Sequence, residues 1–248
     1  MPVYTTEAIV IRRANLGEAD RVVTLYTRDH GKLAAAARGA RKPGSRFAGR
    51  LELFTQLRAL LGQGRTLDVV SQVEVIEPFA AIRTDLARFG AASLVVEVTD
   101  RATPDRDPQP AVYRALRQAL EIIAKGDAEL AAMWFAAQIL VLAGYAPVVD
   151  RCVVCGRAVG RSAAFSFALG GSLCAADRSR DPGAVPVSAV ALAAIGFLRE
   201  ASPKSLTRVS FDRRQRAEVE SLLRGYVEYR LEVRLRSPLV IEQLGRLR

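Results

Sequence analysis

Three cysteines and one aspartate in this chain are spaced as metal ligands. Cys152 and Cys155 form a C-x-x-C pair, and after eighteen intervening residues Cys174 and Asp177 repeat the spacing. Two such pairs at this separation are typical of a structural zinc ribbon, in which four ligands surround the ion as a tetrahedron. Because a carboxylate oxygen is an accepted zinc ligand, the pattern predicts one structural zinc held by Cys152, Cys155, Cys174 and Asp177.

Two other interpretations of the cysteines stay open at this point. The site could be a relic that no longer binds metal, because an aspartate stands where a fourth thiolate would complete it. The Cys152–Cys155 pair could instead be redox-active, although no thioredoxin-like βαβ pattern surrounds it. His30 is the sole histidine and lies in a turn far away in sequence, so we expect it to be neither ligand nor catalyst.

A basic segment is the second feature whose residue types could form a binding site. Residues 38–50 read RGARKPGSRFAGR and contain five cationic side chains and no acid. Three glycines and a proline exclude a regular helix or strand through the segment. Its cations could follow a phosphate backbone, while Phe47 could stack on a base or equally belong to the core. The alternative is a solvated basic loop without a partner.

Motifs of the common enzyme classes are missing from the sequence. There is neither a P-loop nor a G-x-S-x-G elbow. The one histidine lies in a turn and is a poor candidate for the base of a nucleophile–base pair. The acids are scattered, whereas a two-metal nuclease needs them grouped. We therefore expect a binding protein that is not an enzyme. A metal-dependent nuclease is the competing class, and it predicts product formation from DNA in the presence of magnesium.

Bulk composition points to an anionic partner. The chain has 248 residues, is 50% hydrophobic and carries a formal net charge of +10, concentrated toward its two ends. A positive field of this kind attracts polyanions, either nucleic acid or an anionic membrane surface. No apolar run has the length of a membrane span, and the N-terminal residues lack the pattern of a signal peptide. We therefore expect the protein to be cytoplasmic.

The elements that must position these residues begin with a β-rich region. Five short runs separated by turn signals predict a small closed or nearly closed barrel, with the basic segment between the third and fourth strands. The run Ala34 to Ala37 is the weak point, since alanine is not strand-like by propensity. The predicted strands are Val3 to Arg13, Arg21 to Thr27, Lys32 to Arg38, Leu51 to Leu61 and Leu67 to Ile76.

Helical patterns follow the β-rich region, which Pro78 ends. The predicted helices span about 80–100, 111–124, 128–143, 188–200 and 212–236. The third is apolar nearly all round, which predicts a buried helix. Residues 151–183 are rich in loop signals and hold all three cysteines.

Several short motifs, taken together, resemble those of a known protein family. Gly-Lys-Leu at 31–33, Arg-Gly-Ala-Arg at 38–41, Leu-Glu-Leu-Phe-Thr at 51–55 and Glu-Val-Ile-Glu-Pro at 74–78 resemble the N-terminal domain of the RecO family of DNA repair and recombination proteins. The cysteine pairs, with two glycines shortly before Cys174, resemble the zinc region of many family members. Asp177 departs from the commoner pattern, which has a fourth cysteine. The likeness covers nearly the whole chain.

The resemblance implies an α+β fold. An N-terminal five-stranded OB-fold barrel would occupy residues 1–79, and an all-helical domain would occupy 80–248. A zinc-ribbon-like element would be inserted in the helical domain at about 148–183.

The resemblance also implies a function. The family is non-enzymatic, binds single- and double-stranded DNA and anneals complementary strands. With its partner RecR it acts on DNA coated by single-strand-binding protein, so that RecA can load during recombinational repair. Some members bind the acidic tail of single-strand-binding protein through the helical domain. The expected location is the bacterial cytoplasm, in association with the nucleoid.

An OB-fold holds nucleic acid across one face of the barrel, between its loops. The expected phosphate contacts are Lys32, Arg38, Arg41, Lys42, Arg46 and Arg50, with Phe47 as a candidate stacking ring. Six contacts predict a slope of log affinity against log salt of roughly −4 to −5. The alternative is an adaptor whose basic surface binds acidic protein segments, with DNA binding secondary.

Overall fold

The computed structural model describes residues 2–160 and 163–237. Within them, 2–128 together with Ser237 form one compact unit, and Glu129–Arg236 form a second. No helix in the described part of the chain is both long enough and apolar enough to cross a membrane.

Five strands form a closed barrel in the first unit. They are β1 (Val3–Leu16), β2 (Asp20–Thr27), β3 (Gly31–Ala37), β4 (Gln56–Gly62) and β5 (Asp68–Glu77). The order around the barrel is β1-β2-β3-β5-β4, and β1 pairs with β4 to close it. Only the short contact of β3 with β5 is parallel among these pairs, through Ala35 and Ala36 opposite Asp68 and Val69. The predicted five-stranded barrel is confirmed.

The alanine run is a strand in spite of its propensity. Along β3, Leu33, Ala35 and Ala37 point into the barrel and are at most 2% exposed, while the intervening side chains are half-buried. The interior of a five-stranded barrel has little room, so small side chains on one strand can face large ones on the others. Packing therefore outweighs the low strand propensity of alanine.

The fourth strand begins later than predicted, at Gln56 instead of Leu51. Leu51 and Phe54 are buried, but Phe54 has a φ of 72°, and the Thr55 N–H donates to the Glu52 carbonyl across a turn at 3.2 Å. The apolar residues at 51–55 thus anchor a turn against the barrel, which sequence periodicity does not distinguish from a strand.

Three helices follow the barrel in the described part of the first unit: α1 (Ala80–Thr84), α2 (Leu86–Ala102) and α3 (Pro110–Lys125). The single helix expected over 80–100 is broken at Asp85, whose backbone is extended. The Asp85 carboxylate accepts a hydrogen bond from the Arg88 N–H at 2.9 Å and so caps the start of α2. A residue type that favours helix N-caps was present at the break, inside an otherwise helical pattern.

The connection from α2 to α3, residues 103–109, packs directly on β3, and we call it the strap. The Arg106 N–H donates to the Lys32 carbonyl at 2.8 Å, extending the edge of β3 by one bridge. A Cβ on Gly31 would lie 2.2 Å from the Asp107 carbonyl oxygen, and Gly31 has a φ of +66°. Only glycine satisfies both conditions.

A buried carboxylate ties the strap to the barrel. Asp68 is fully buried and accepts hydrogen bonds from Tyr4, from the Gly64 N–H at 3.0 Å and from the Arg106 guanidinium at 2.9 Å. Burial by itself raises the pKa of the Asp68 carboxyl, but these three donors outweigh it and hold the pKa below its ordinary value.

The second unit contains the remaining elements: most of α4 (Ala128–Leu142), β6 (Ala164–Ser166), β7 (Gly171–Leu173), β8 (Val185–Pro186), α5 (Ala189–Glu200) and α6 (Arg213–Arg230), with 3₁₀ turns at Ala175–Arg180 and Pro203–Arg208. The predicted burial of α4 is confirmed, and its Trp134 donates to the Ala201 carbonyl at 2.9 Å. The three short strands form a small sheet in the order β7-β6-β8.

The helix expected over 212–236 is shorter than predicted. It starts at the predicted cap, where the Asp212 carboxylate accepts from the Gln215 N–H at 2.9 Å, but it ends at Arg230 instead of Arg236. Beyond it Glu232 adopts a φ of 53°, and the Leu235 N–H turns back to the Glu228 carboxylate at 2.8 Å.

Candidate metal centre and nucleic-acid interface

The first cysteine pair lies on a tight turn before β6. The Cys152 N–H donates to the Arg157 carbonyl at 2.8 Å, and the Gly156 N–H donates back to the Cys152 carbonyl at 2.9 Å. The Val153 N–H donates to the Ser172 carbonyl in β7 at 2.9 Å. That bond holds the first turn against the strand that leads into the second pair of ligands.

The second pair begins where β7 ends. Cys174 precedes the 3₁₀ turn Ala175–Arg180, and its carbonyl accepts from the Asp177 N–H at 3.1 Å. One turn of this helix brings the Asp177 carboxylate onto the same side as the Cys174 sulfur, 3.2 Å from it. The C-x-x-D spacing thus delivers two ligand atoms to one point.

The four ligand atoms fit a tetrahedral ion. They lie within 4.8 Å of one another, with 3.8 Å between the sulfurs of Cys155 and Cys174 and 3.3 Å from the Cys152 sulfur to the Asp177 oxygen. Zinc–sulfur bonds of about 2.3 Å in a tetrahedron place sulfurs about 3.8 Å apart, and a shorter zinc–oxygen bond brings sulfur and oxygen closer. The predicted ligands are thus brought together in a cluster compatible with zinc.

The surroundings of the cluster shift the pKa values of its ligands in different directions. The hydrogen bond to the Asp177 carboxylate raises the pKa of the Cys174 thiol. Burial raises the pKa of the Cys152 thiol, but hydrogen bonds from the N–H groups of Cys155, Cys174 and Val154 outweigh it and lower the pKa below its usual value. Hydrogen bonds from the thiols of Cys155, Cys174 and Cys152 lower the pKa of the Asp177 carboxyl. The neighbouring guanidinium of Arg157 acts in the same direction.

The basic segment 38–50 is an ordered loop, and we call it the basic loop. Three successive turns close through the N–H groups of Ser45, Ala48 and Arg50, at 3.0 to 3.1 Å from the carbonyls three residues earlier. All three of its glycines have φ near +70°, a left-handed conformation that excludes a regular helix or strand through the segment. The chain is coiled on itself and not extended.

Phe47 lies beneath the cations of the basic loop. Its side chain is 4% exposed and packs in the barrel core, and the guanidinium carbon of Arg46 stands 4.9 Å from the ring centroid. Of the two interpretations offered for this ring, the buried position favours the core. A base could stack on it only if the loop first lifted off the barrel.

The cations of the basic loop are exposed, and they differ in what holds them. Arg41 donates to the Gly17 carbonyl at 2.8 Å, and Arg50 donates to the Val73 carbonyl at 3.3 Å. Across residues 2–160 and 163–237, no carboxylate forms an ion pair with the other three, which are Arg38, Lys42 and Arg46. These three charges face solvent uncompensated.

The basic loop is fastened to the tip of the β1–β2 hairpin. The Arg41 N–H donates to the Ala19 carbonyl at 2.9 Å, and the Gly39 N–H donates to the Asp20 carboxylate at 2.8 Å. Loop and hairpin tip therefore present one continuous surface.

Lys32 lies apart from this surface. Its ammonium group is 3.1 Å from the Asp100 carboxylate and 3.4 Å from that of Asp105, and its side chain is only 13% exposed. This lysine links β3 to α2 and the strap. Its charge is already compensated by these two carboxylates, and the phosphate contact expected of Lys32 from the sequence stays a prediction.

Known proteins resemble the chain over nearly its full length. The family model "Recombination protein O N terminal" matches residues 1–79, and "Recombination protein O C terminal" matches residues 83–239. The chain belongs to the RecO family of DNA repair proteins. Among its relatives, a DNA repair protein RecO of Pelotomaculum thermopropionicum is 36% identical over 99% of this chain and 96% of its own. A DNA repair protein RecO of Cutibacterium acnes is 42% identical over 70% of this chain and 74% of its own.

Two of the motifs that resemble the RecO family have structural roles here. Gly31, Lys32 and Leu33 provide the close approach of the strap, its ion pairs and a core side chain. In the motif at 51–55, Leu51 and Phe54 anchor the turn after the basic loop. These two motifs thus maintain the shape of the barrel, whereas the motif at 38–41 supplies two exposed cations of the basic loop, Arg38 and Arg41.

The structure adds arginines that sequence reasoning missed. Arg13 and Arg21 both pair with Glu52, the latter at 3.5 Å, so that two cations share one acid beside the basic loop. Arg12 is 66% exposed, with its guanidinium 3.7 Å from the Asp100 carboxylate. In the sequence, the adjacent arginines Arg12 and Arg13 in β1 were the only indication of this additional positive charge. Their common surface with residues 38–50 depends on the closure of the barrel.

Proposed function

We propose that this RecO family member is a recombination mediator that binds single- and double-stranded DNA through the basic loop and the neighbouring hairpin, and anneals complementary strands. The observation that carries the proposal is the trio Arg38, Lys42 and Arg46, exposed and without a carboxylate partner in the described residues. Arg13 and Arg21 enlarge the same surface, since their two charges are opposed by the single charge of Glu52.

Annealing by such a surface needs no chemical fuel. Two DNA strands repel each other through their phosphates, and cations that neutralise both backbones reduce that repulsion. Base pairing then supplies the free energy that drives the strands together. The protein acts by binding alone, which is consistent with a site made of guanidinium and ammonium groups.

Within this proposal the partners are those of a recombination mediator. With RecR, the protein would act on DNA covered by single-strand-binding protein and allow RecA to load, and the acidic tail of single-strand-binding protein is a candidate ligand of the second unit. It would work in the cytoplasm at the nucleoid and would not be an enzyme. Family membership is the support for these steps.

Zinc is the ion that we propose for the Cys152–Cys155–Cys174–Asp177 cluster. Three sulfurs and one oxygen at tetrahedral distances suit zinc, and four protein ligands leave no open position for a substrate. When bound, the ion would cross-link the two turns and stabilise this part of the fold. Protein purified without added zinc should then contain close to one equivalent, measured by elemental analysis. Metal-free protein with a fully folded second unit would favour the relic interpretation.

The DNA interface is tested by replacing Arg38, Lys42 and Arg46 with alanine together. Five phosphate contacts from the basic loop predict a slope of log affinity against log salt of roughly −3.5 on single strands and −4.5 on duplex. The triple variant should bind more weakly, with a slope shallower by about 2 on single strands. Fluorescence anisotropy of a labelled oligonucleotide over a salt titration measures both quantities.

The matched control removes the same charge elsewhere. Arg213, Arg214 and Arg224 on α6 are replaced with alanine, which lowers the net charge equally and leaves the barrel intact. An unchanged slope in the loop variant, or equal losses in both, would contradict the assignment to the basic loop.

A companion measurement separates mediator from adaptor. Anisotropy with a labelled acidic peptide, compared with the oligonucleotide, shows which partner depends on the loop cations. Annealing of complementary strands coated with single-strand-binding protein, with and without RecR, then tests the mediator step itself. Tighter binding of the peptide than of DNA, together with no annealing, would favour the adaptor.

A further inference from the structure

The four ligands of the candidate metal centre differ in their access to solvent. Cys152 is buried, with 1% of its surface exposed, whereas Cys155 is exposed and Cys174 is partly so. The Cys155 and Cys174 sulfurs are 3.8 Å apart and form the outer edge of the cluster. A small solute that reaches the cluster therefore meets these two sulfurs first.

The fourth ligand makes this edge easier to uncover. Asp177 contributes a carboxylate oxygen on an exposed 3₁₀ turn, in a position where a thiolate would bind zinc more strongly. A weaker ligand raises the fraction of time in which the ion is absent or only partly coordinated. During that time the two outer sulfurs remain adjacent, because separate elements hold them: the turn before β6 and the end of β7.

We propose that Cys155 and Cys174 form an oxidation site that hydroperoxides convert to a disulfide with release of the metal ion, an inference that rests on the proposed metal centre. In the first step the Cys155 thiolate attacks one oxygen of hydrogen peroxide, giving a sulfenic acid and hydroxide. In the second, the Cys174 thiolate attacks the sulfenic sulfur, forms the S–S bond and expels hydroxide. Two thiolates and one peroxide become one disulfide and two hydroxides, and the dication leaves because two of its four ligands are consumed.

The pairing differs from the one that the C-x-x-C motif suggests. The Cys152 sulfur is buried and accepts hydrogen bonds from the N–H groups of Cys155, Cys174 and Val154, which fix it inside the turn. The sulfurs of Cys155 and Cys174 need to approach by only about 1.8 Å to reach the S–S bond length. The structure therefore favours a bond between the two turns over one within the first turn.

Trypsin distinguishes these products in the full-length protein. Cleavage after Arg151, Arg157, Arg161 and Arg178 places Cys152 and Cys155 together in peptide 152–157 and places Cys174 in peptide 162–178. The proposed disulfide joins two peptides, whereas a Cys152–Cys155 disulfide stays within one. Fragment ions that separate Cys152 from Cys155 identify the cysteine that is joined.

The experiment treats the purified protein with hydrogen peroxide after its metal content has been measured. We expect a Cys155–Cys174 cross-link, loss of bound zinc in parallel with it as detected by a chromogenic chelator, and reversal by dithiothreitol. A bond within peptide 152–157, or overoxidised Cys155 without a cross-link, would overturn the proposal. If the protein is metal-free and still forms the cross-link, the proposed zinc site is contradicted and the Cys155–Cys174 pairing is supported. Failure of the zinc proposal and failure of the disulfide proposal are therefore distinguishable.

Asp177→Cys is the matched variant, because it supplies the fourth thiolate at an unchanged spacing. Its zinc should be retained more tightly, and peroxide should release it at least about tenfold more slowly than from the wild type. Equal rates would overturn the role given to Asp177. The wild-type cross-link decides the pairing even if this variant fails to fold.

Discussion

At the scale of single residues, the candidate metal centre would have a charge to balance. With a dication bound, three thiolates and one carboxylate would carry a net charge of about −2. Arg157 donates a hydrogen bond to the Cys155 sulfur, and its guanidinium lies close to Cys174 and Asp177. Its own carbonyl accepts from the Cys152 N–H, which places the residue across the turn. Side chains in this position commonly strengthen metal binding without touching the ion.

Arg157→Ala should therefore weaken the metal centre without removing a ligand. We expect zinc affinity to fall by about tenfold, the lower end of the range for groups that hydrogen-bond to ligands, because Arg157 is exposed. Competition with a zinc chelator measures this change. Arg151→Ala is the control, since that arginine is exposed on the same turn and pairs with Asp150 at 4.0 Å. Equal losses in the two variants would indicate a general effect of charge.

Gly31 and Gly17 are a natural pair for testing the contact between the strap and β3. Both have positive φ, but a Cβ on Gly31 would meet the Asp107 carbonyl, while Gly17 has open space around it. Gly17→Ala should cost about 1 kcal/mol of stability from backbone strain alone, and Gly31→Ala more than about 3 kcal/mol because the strap must also move. Urea unfolding of both variants gives the difference between their losses in unfolding free energy. Equal losses would show that the strap can move away from β3 at little energetic cost.

At the scale of elements, the prediction from sequence succeeded where a single physical rule dominates. Apolar runs between turn signals identified the barrel, the apolar surface of α4 identified its burial, and Asp212 identified the start of α6. It was wrong at residues 51–55 and at Asp85, where buried anchors and an internal cap resemble a continuous element.

The candidate sites show the same division. The cluster of four candidate metal ligands was predictable because their spacing within two short segments determines their geometry. The partners of Lys32 and Arg13 were not, because Asp100 and Glu52 reach them only through the closed fold.

The basic loop offers an element-scale prediction through Phe47. Phe47→Ala should destabilise the protein by about 3 to 5 kcal/mol, the usual cost of emptying a buried aromatic site. Phe47→Leu keeps most of the volume and removes the aromatic ring, so it should cost only about 1 to 2 kcal/mol. If Phe47 serves only the core, the leucine variant should bind DNA with an affinity within about twofold of wild type. A base stacked on the ring would contribute about 1–3 kcal/mol, so its loss would lower the affinity by more than twofold. A much larger loss of affinity in a folded leucine variant would restore the stacking interpretation.

At the scale of the whole molecule, the barrel depends on the helices that follow it in sequence. The strap and α2 supply partners for Lys32 and Asp68, the Gln56 amide donates to the Tyr113 hydroxyl at 3.3 Å, and Phe54 packs edge-on against Phe89. All of these contacts lie within the first compact unit. The barrel alone would leave a buried carboxylate without its arginine.

Two fragments test this dependence. Residues 1–128 keep every contact just named, and we expect the fragment to unfold cooperatively in urea. Residues 1–79 end at the boundary expected from the sequence and lose Arg106, so they should unfold at a markedly lower urea concentration or not fold at all. A cooperative transition with the same midpoint in both would show that 1–79 is a self-sufficient domain.

The attachment of the basic loop to the hairpin tip would affect the thermodynamics of the proposed DNA binding. A disordered basic segment must lose conformational entropy when it settles on a phosphate backbone, at about 1–2 kcal/mol per residue ordered. Here the bonds from Gly39 and Arg41, and the buried ring of Phe47, have already ordered the loop during folding. Association should therefore proceed as a rigid docking event, with a small heat-capacity change and an on-rate set by electrostatic attraction.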